Sequence, residues 1–133
     1  MKQPAYTMIL LGAILIALFS GCDPERKLSE EEKILVGPNW KMNDALIDGQ
    51  PDSTDFEAFR LTFLAKGKWK STESDNSERS GSWVYDEVKT TLTTVDNGSG
   101  LLAEYFVVLL DQANLQLQFR VAGRDLEWRM VPE

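Results

Sequence analysis

From Asn39 onward, apolar and polar residues alternate with a period of two, which is the pattern of β-strands that bury one face. In FRLTFLAK, Phe59 and Phe63 share one face, and Arg60 lies on the other. Turn-forming stretches separate the alternating segments, and DNG at residues 96–98 is a strong turn signal. We predict about eight short strands, near residues 39–43, 59–66, 68–70, 83–85, 89–95, 104–110, 115–121 and 126–130.

The connections between these strands are too short for parallel crossovers, so we expect the strands to pair antiparallel in chain order. The long polar stretch at residues 71–81 is interpreted as a strand end followed by an exposed loop. A flat sheet of this length would leave two open edges and an uncovered apolar face, whereas a closed barrel leaves neither. The sequence therefore predicts an all-β fold, a small up-and-down antiparallel barrel of about eight strands. A two-sheet β-sandwich is the alternative.

One short N-terminal helix is predicted before the first strand, at residues 29–35. Ser29 and Glu32 have the spacing of a capping box, and the acidic residues of the first turn suit the helix dipole. Gly37 and Pro38 are expected to end this helix.

The first residues have the layout of a signal peptide. Lys2 precedes an almost purely apolar run at residues 6–19, which is shorter than the roughly 20 residues of a membrane-spanning helix. The tetrapeptide FSGC at residues 19–22 resembles the bacterial lipoprotein signal. This resemblance implies a cleaved leader (residues 1–21), palmitate-type lipid attachment at Cys22, a lipidated tether (22–28) and a barrel domain (29–133). An uncleaved N-terminal anchor is the alternative.

The charge and the missing residue types narrow the function classes. The formal net charge is −7, and no basic patch is present that would bind nucleic acid. The chain has no histidine, and Cys22 is its only cysteine. This removes the usual zinc sites and the Cys–His and Ser–His nucleophile pairs. We therefore expect no catalytic residues and no metal site, so the protein is predicted not to be an enzyme. Carboxylate-based catalysis is the alternative.

Four stretches together resemble a known family. They are GPNW (residues 37–40), LTFLAKGKW (61–69), GSWVY (81–85) and an LxL pattern at Leu115 and Leu117. This combination is similar to the small lipocalin-like domains carried by lipoproteins of Bacteroidetes-type bacteria. The resemblance implies an up-and-down barrel, binding of a small apolar molecule and no catalysis, and it places Trp40 at the closed end of the barrel.

The interior of an eight-stranded barrel is either filled by side chains or holds one small ligand. Trp69 and Trp83 flank the polar 71–81 stretch, so we expect them to stack on a ligand at an open mouth. Phe119 and Tyr85 complete the candidate ligand-binding set, Tyr85 as its polar handle. The residues assigned to the inward face are Trp40, Met42, Phe59, Leu61, Phe63, Trp69, Trp83, Tyr85, Leu92, Val107, Leu115, Leu117, Phe119, Leu126, Trp128 and Met130.

These features predict a lipocalin-like lipoprotein that is anchored in the bacterial cell envelope, at the outer membrane, and binds a small hydrophobic molecule. No cofactor is expected besides the covalent lipid on Cys22. The alternative is a non-catalytic protein-interaction module with a packed barrel. Residues 104–110 are apolar on both faces, and an exposed strip of Phe106, Val108 and Leu110 would mark a surface for an envelope protein partner.

Overall fold

A computed structural model describes residues 27–133. The predicted leader, Cys22 and all but the last two residues of the predicted tether lie outside the described residues. This part of the chain contains one short helix, α1 (Glu30–Leu35), and nine strands. The strands are β1 (Asn39–Ile47), β2 (Gln50–Pro51), β3 (Arg60–Leu64), β4 (Lys68–Thr72), β5 (Glu78–Asp86), β6 (Thr91–Asp96), β7 (Leu102–Asp111), β8 (Asn114–Val121) and β9 (Arg124–Pro132).

Helix α1 begins with the capping box that the sequence predicts. The Ser29 hydroxyl accepts a hydrogen bond from the Glu32 amide, and the Glu32 carboxylate accepts one from the Ser29 amide, both at 3.2 Å. At the other end of the helix, the carbonyl of Leu35 accepts a hydrogen bond from Trp40 Nε1 at 3.0 Å. The side chains of Leu35 and Trp40 are both buried in the core. The helix is therefore fixed to the start of β1.

The strands form one antiparallel sheet in chain order, and β1 also pairs with β9, which closes the sheet into a barrel. Strand β2 is a two-residue hairpin partner of the end of β1, so eight strands make up the barrel wall. The prediction of a closed up-and-down barrel with one short helix is confirmed, and the two-sheet sandwich is not the architecture.

Strand direction defines two different ends of the barrel. The end where β1 begins carries α1 and the turns at residues 65–67, 87–90 and 112–113. The other end, called the mouth below, carries the turns at residues 48–49, 73–77, 97–101 and 122–123, and the connection at residues 52–59. Trp40 is 0% exposed and lies at the α1 end, so its predicted place at the closed end is confirmed.

The core agrees with the predicted inward face. Of that set, only Leu126 lies outside the hydrophobic cluster; it is half-buried near the mouth. The sequence reasoning missed five members, because they lie in the helix, in its connection, in a loop or on the doubly apolar β7. These are Leu35, Val36, Phe56, Tyr105 and Leu110.

Two predictions about strand limits and facing were wrong. The polar stretch at residues 71–81 is mostly strand, because β4 runs to Thr72 and β5 begins at Glu78, which leaves a turn of residues 73–77. In β7, Val107 pairs with Leu117 and Leu109 pairs with Gln116, so Val108 is the extra residue of a β-bulge.

The bulge changes which residues of β7 point outward. Leu110 lies beyond it and packs against the core, so it does not belong to the exposed strip. The strip consists instead of Phe106, Val108 and Leu109, which are 56%, 51% and 38% exposed.

Candidate functional site

A cavity of about 1300 Å³ occupies the half of the barrel next to the mouth. Its size exceeds the 300–1,000 Å³ of typical small-molecule sites, partly because it opens to solvent. Alternating strand positions turn apolar side chains of β3, β4, β6, β7, β8 and β9 toward it. The inner part of the wall consists of Leu61, Phe63, Trp69, Leu92 and Leu117.

A row of four aromatic side chains forms one side of the cavity. The ring of Phe59 lies 5.3 Å from that of Trp128, Trp128 lies 4.9 Å from Phe119, and Phe119 lies 4.8 Å from Tyr105. All three contacts are edge-to-face, the geometry that aromatic quadrupoles favour. Phe56 packs behind Phe59 and Trp128. The row gives the cavity a rigid apolar wall running from the β2–β3 connection across β9 and β8 to β7.

Trp69 lies in the cavity wall, as predicted, and its position depends on Gly81 of the neighbouring strand. The two residues are directly paired between β4 and β5. A Cβ atom at Gly81 would lie 2.6 Å from Trp69 Nε1, so only glycine leaves room for the indole against the β5 backbone. Among the described residues, the buried Nε1 atoms of Trp69 and Trp128 have no hydrogen-bond partner, so packing alone holds these two rings.

Trp83 and Tyr85 do not line the cavity, so Trp83 does not lie at the mouth as predicted and Tyr85 is not placed to be the polar handle of this site. Both are buried and point inward, but β5 starts at Glu78, so they lie farther down the strand toward the closed end. Trp83 Nε1 donates a hydrogen bond to the Leu64 carbonyl at 3.1 Å. Burial, together with a hydrogen bond to Glu31 of α1, raises the pKa of Tyr85. Of the four candidates, the structure thus brings only Trp69 and Phe119 to the cavity.

The polar side chains of the inner wall gather near the mouth on β4, β5 and β6. Arg79 Nη2 donates to Asp96 Oδ2 at 2.7 Å, and Arg79 Nη1 lies 3.6 Å from Glu73 Oε1. Ser71 donates its hydroxyl hydrogen to Glu73 at 2.6 Å, and Ser99 donates to Asp96 at 2.8 Å. We call Ser71, Glu73, Arg79 and Asp96 the polar cluster.

The Arg79–Asp96 pair of the polar cluster stabilises the charged form of both side chains. Hydrogen bonds from Arg79, Ser99 and the Gly98 amide lower the pKa of Asp96 to about 2. The hydrogen bond to Asp96 in turn raises the pKa of Arg79. A general acid needs a pKa raised toward neutrality, so Asp96 is unsuited to proton donation. What the arrangement offers chemically is orientation of a polar group at the end of an apolar cavity.

Tyr105 is the member of the aromatic row that the sequence reasoning missed. Its ring belongs to the aromatic row, burial raises its pKa, and its hydroxyl is hydrogen-bonded to Thr94. Because residues two apart on a strand share a face, the inward assignment of Val107 already implied an inward Tyr105.

The barrel wall is divided on one side of the mouth. The β7–β8 ladder ends at Phe106 and Gln118, although β7 extends to Leu102 and β8 to Val121. Beyond that pair, each strand keeps its ladder only with its other neighbour, β6 or β9. The cavity reaches into this gap, and residues 101–106 and 117–121 line it on the two sides.

Within residues 27–133, no helix is long and apolar enough to span a bilayer. The same residues contain no group of three or more acidic, cysteine or histidine side chains placed to hold a metal ion.

Comparisons with known proteins place the fold. No protein-family model and no curated protein matches the chain. A lipocalin-like protein from Bacteroides uniformis superposes with a TM-score of 0.55 at 14% identity, covering 74% of this chain and 98% of its own. A DUF4847 family protein from Bacteroides vulgatus superposes with a TM-score of 0.57 at 16% identity, and the match covers 75% of this chain and 95% of that protein. An uncharacterized protein from Bacteroides eggerthii superposes with a TM-score of 0.53 at 11% identity, and the match covers 72% of this chain and 98% of that protein. The predicted likeness is thereby confirmed for the fold: this chain has the lipocalin-like β-barrel of these Bacteroides proteins.

Proposed function

We propose that the protein binds a small hydrophobic molecule in the cavity of its barrel and does not act on it chemically. The observation that carries this proposal is the 1300 Å³ cavity, walled by the aromatic row and by buried aliphatic side chains, that opens at the mouth. Apolar walls favour an apolar ligand because its contact surface leaves water, at roughly 25 cal/mol per Å². The polar cluster lies at one end, near the mouth, as in sites that orient an otherwise apolar molecule.

The test is a titration with retinol, whose own fluorescence reports its transfer into an apolar site. We expect saturable binding to the wild-type protein. Ala103 lines the cavity, so Ala103→Phe fills part of it and lowers the affinity about tenfold, which corresponds to 1.4 kcal/mol. Ala113 lies exposed in the β7–β8 turn at the other end of the barrel, so Ala113→Phe is the matched control and binds like wild type. Absence of saturable binding, or equal affinities of all three proteins, would contradict the proposal.

Anchoring through Cys22 is the second element of the proposal. The FSGC segment supports attachment of lipid to its thiol, and several acyl chains together hold a protein on a bilayer nearly permanently. The proposed location is the outer membrane of the bacterial envelope. In the native host, Cys22→Ser should move the protein from the membrane fraction to the soluble fraction and abolish labelling by an alkyne-tagged palmitate. Unchanged fractionation and labelling would contradict the anchor.

One observation favours a second candidate function, a protein-interaction module. Phe106, Val108 and Leu109 form an apolar strip on the outer face of β7. Exposed apolar patches often mark contacts with other proteins. Photo-crosslinking from position 108 in native membranes tests this candidate. A single crosslinked protein that is lost with Phe106→Ser would support it, and a diffuse pattern would not.

A further inference from the structure

We propose that the cavity selects an amphiphile whose polar end is a hydrogen-bond donor without negative charge, such as an amine or a hydroxyl, and discriminates against carboxylates. This inference rests on the proposed function, because it concerns which molecule the same cavity accepts. It follows from the charges that line the cavity and from how they are already paired.

The charged groups along the cavity and its rim are mainly acidic. They comprise two guanidinium groups, of Arg79 and Arg120, and five carboxylates. The carboxylates are Glu73, Asp96, Glu104, Asp125 and Glu127. Glu127 is paired with Arg129, and Asp125 with Arg120, so the negative charge that a head group would meet inside the mouth is mainly that of the polar cluster, with one cation and two anions.

Both cations are already engaged. Arg120 pairs with Asp125 at 2.8 Å, and both side chains are largely exposed on the outside of the mouth. Arg79 is the only cation of the inner polar cluster, and it pairs with Asp96 at 2.7 Å. An incoming carboxylate that approached Arg79 would come close to Asp96 and Glu73, the two carboxylates that already contact this guanidinium, and their negative charges would repel it.

The Glu73 carboxylate of the polar cluster, in contrast, remains accessible as a hydrogen-bond acceptor to a donor group of the ligand. The Glu73 carboxylate lies 3.6 Å from Arg79, longer than the Asp96 contact, and 27% of its side chain is exposed. Because the polar cluster holds one cation and two anions, its net charge is −1. An amine placed beside Glu73 would neutralise this charge, and a hydroxyl would donate to the same oxygen atoms.

Three ligands with the same twelve-carbon chain separate head-group charge from apolar burial. Dodecylamine, dodecanol and dodecanoate are titrated at pH 7.5 and low ionic strength by displacement of retinol. We expect dodecylamine to bind at least tenfold more tightly than dodecanoate, with dodecanol between them, and we expect added salt to reduce the difference. Equal or tighter binding of dodecanoate would overturn the inference while leaving the proposed function intact. Failure of all three ligands, together with no retinol signal, would overturn both.

Two charge-neutralising variants locate the effect. Glu73→Gln removes the acceptor charge from the polar cluster, so the ratio of dodecylamine to dodecanoate affinity should fall several-fold while dodecanol affinity stays unchanged. Glu78→Gln removes an equal charge from an exposed position at the start of β5, near the same end of the barrel but outside the cavity lining, and should leave the ratio close to wild type. Thermal melts show whether both variants are folded. An equal effect of the two variants would overturn the assignment of the head group to the polar cluster.

Discussion

The indole of Trp69 lies against the backbone of Gly81, so close that a methyl group at position 81 would come within 2.6 Å of the indole nitrogen. The same methyl group would also collide with the carbonyl oxygen of Val95 on β6. Gly81 therefore serves two purposes, since it lets β5 pair with β6 and gives one wall of the cavity its tryptophan.

Gly81→Ala should destabilise the barrel strongly, because neither the Val95 backbone nor the buried indole can move aside freely. Overpacking of this kind costs about 1–3 kcal/mol or more. Urea unfolding measures the cost, and the emission spectrum of Trp69 should change in any folded fraction. Gly98→Ala is the matched control, since a Cβ there meets nothing closer than 3.8 Å. Equal stability of the two variants would contradict this account of Gly81.

Trp69 and Trp83 should respond differently to replacement by phenylalanine. Trp83 is 2% exposed, packs edge-to-face on Phe63 and donates a hydrogen bond to the Leu64 carbonyl. Trp83→Phe loses volume and a buried hydrogen bond, so we expect a loss of about 2 kcal/mol in the free energy of unfolding with retinol affinity unchanged.

Trp69→Phe loses packing but no hydrogen bond, so we expect a smaller loss of stability and a lower affinity for retinol. Urea unfolding and retinol titration of both variants measure the two effects. The opposite pattern, with binding lost in Trp83→Phe and kept in Trp69→Phe, would contradict the placement of the cavity.

A substitution in the β8–β9 turn should stabilise the protein. Val121 pairs with Arg124, so Ala122 and Gly123 form a two-residue loop, and both have positive φ, 51° and 77°. A type I′ turn favours asparagine at the first of these positions, where alanine carries a conformational cost. Ala122→Asn should therefore raise the free energy of unfolding by about 1 kcal/mol, measured as an increase in the urea midpoint. Ala113→Asn, in an exposed turn without a positive φ, should give no such increase.

Acid should lower the stability of the fold, because Asp96 loses its negative charge at low pH. Because its folded-state pKa is lowered to about 2 from an ordinary value of 3.8, its ionised form stabilises the fold at neutral pH. That contribution is present above about pH 4 and is lost as the pH falls toward 2. Asp96→Asn lacks it at every pH, so the difference in melting temperature from wild type should be largest near neutrality and shrink between pH 4 and pH 2. A difference that does not change with pH would contradict the role of the Arg79–Asp96 pair.

Period-two alternation was sufficient to predict the barrel and nearly all of its interior, because it reports which face of each strand is apolar. It does not report where a residue lies along the barrel axis, since that depends on register and on where each strand begins. Trp83 was misplaced for this reason: the residues Glu78 to Ser80 are polar, yet they belong to the strand. Leu110 was assigned to the wrong face because a single bulge at Val108 reverses the alternation after it.

The polar cluster was beyond sequence reasoning for a related reason. Glu73 lies in the turn after β4, Arg79 on β5 and Asp96 on β6, and only the paired register brings their charges together. Their residue types alone are those of ordinary solvated turns, so no local signal distinguishes them.

The division of the wall beyond Phe106 and Gln118 has a mechanical consequence. Widening the gap there breaks no ladder hydrogen bond between β7 and β8, but it would separate the ring of Phe119 from that of Tyr105, which lie 4.8 Å apart across it. At the closed end, in contrast, β7 and β8 are paired and the Trp40 indole is hydrogen-bonded to the Leu35 carbonyl of α1. Toward the mouth, the seam between β7 and β8 is therefore held by side-chain packing and not by ladder hydrogen bonds, while β9 stays paired with β1 as far as Leu126 and Ile47.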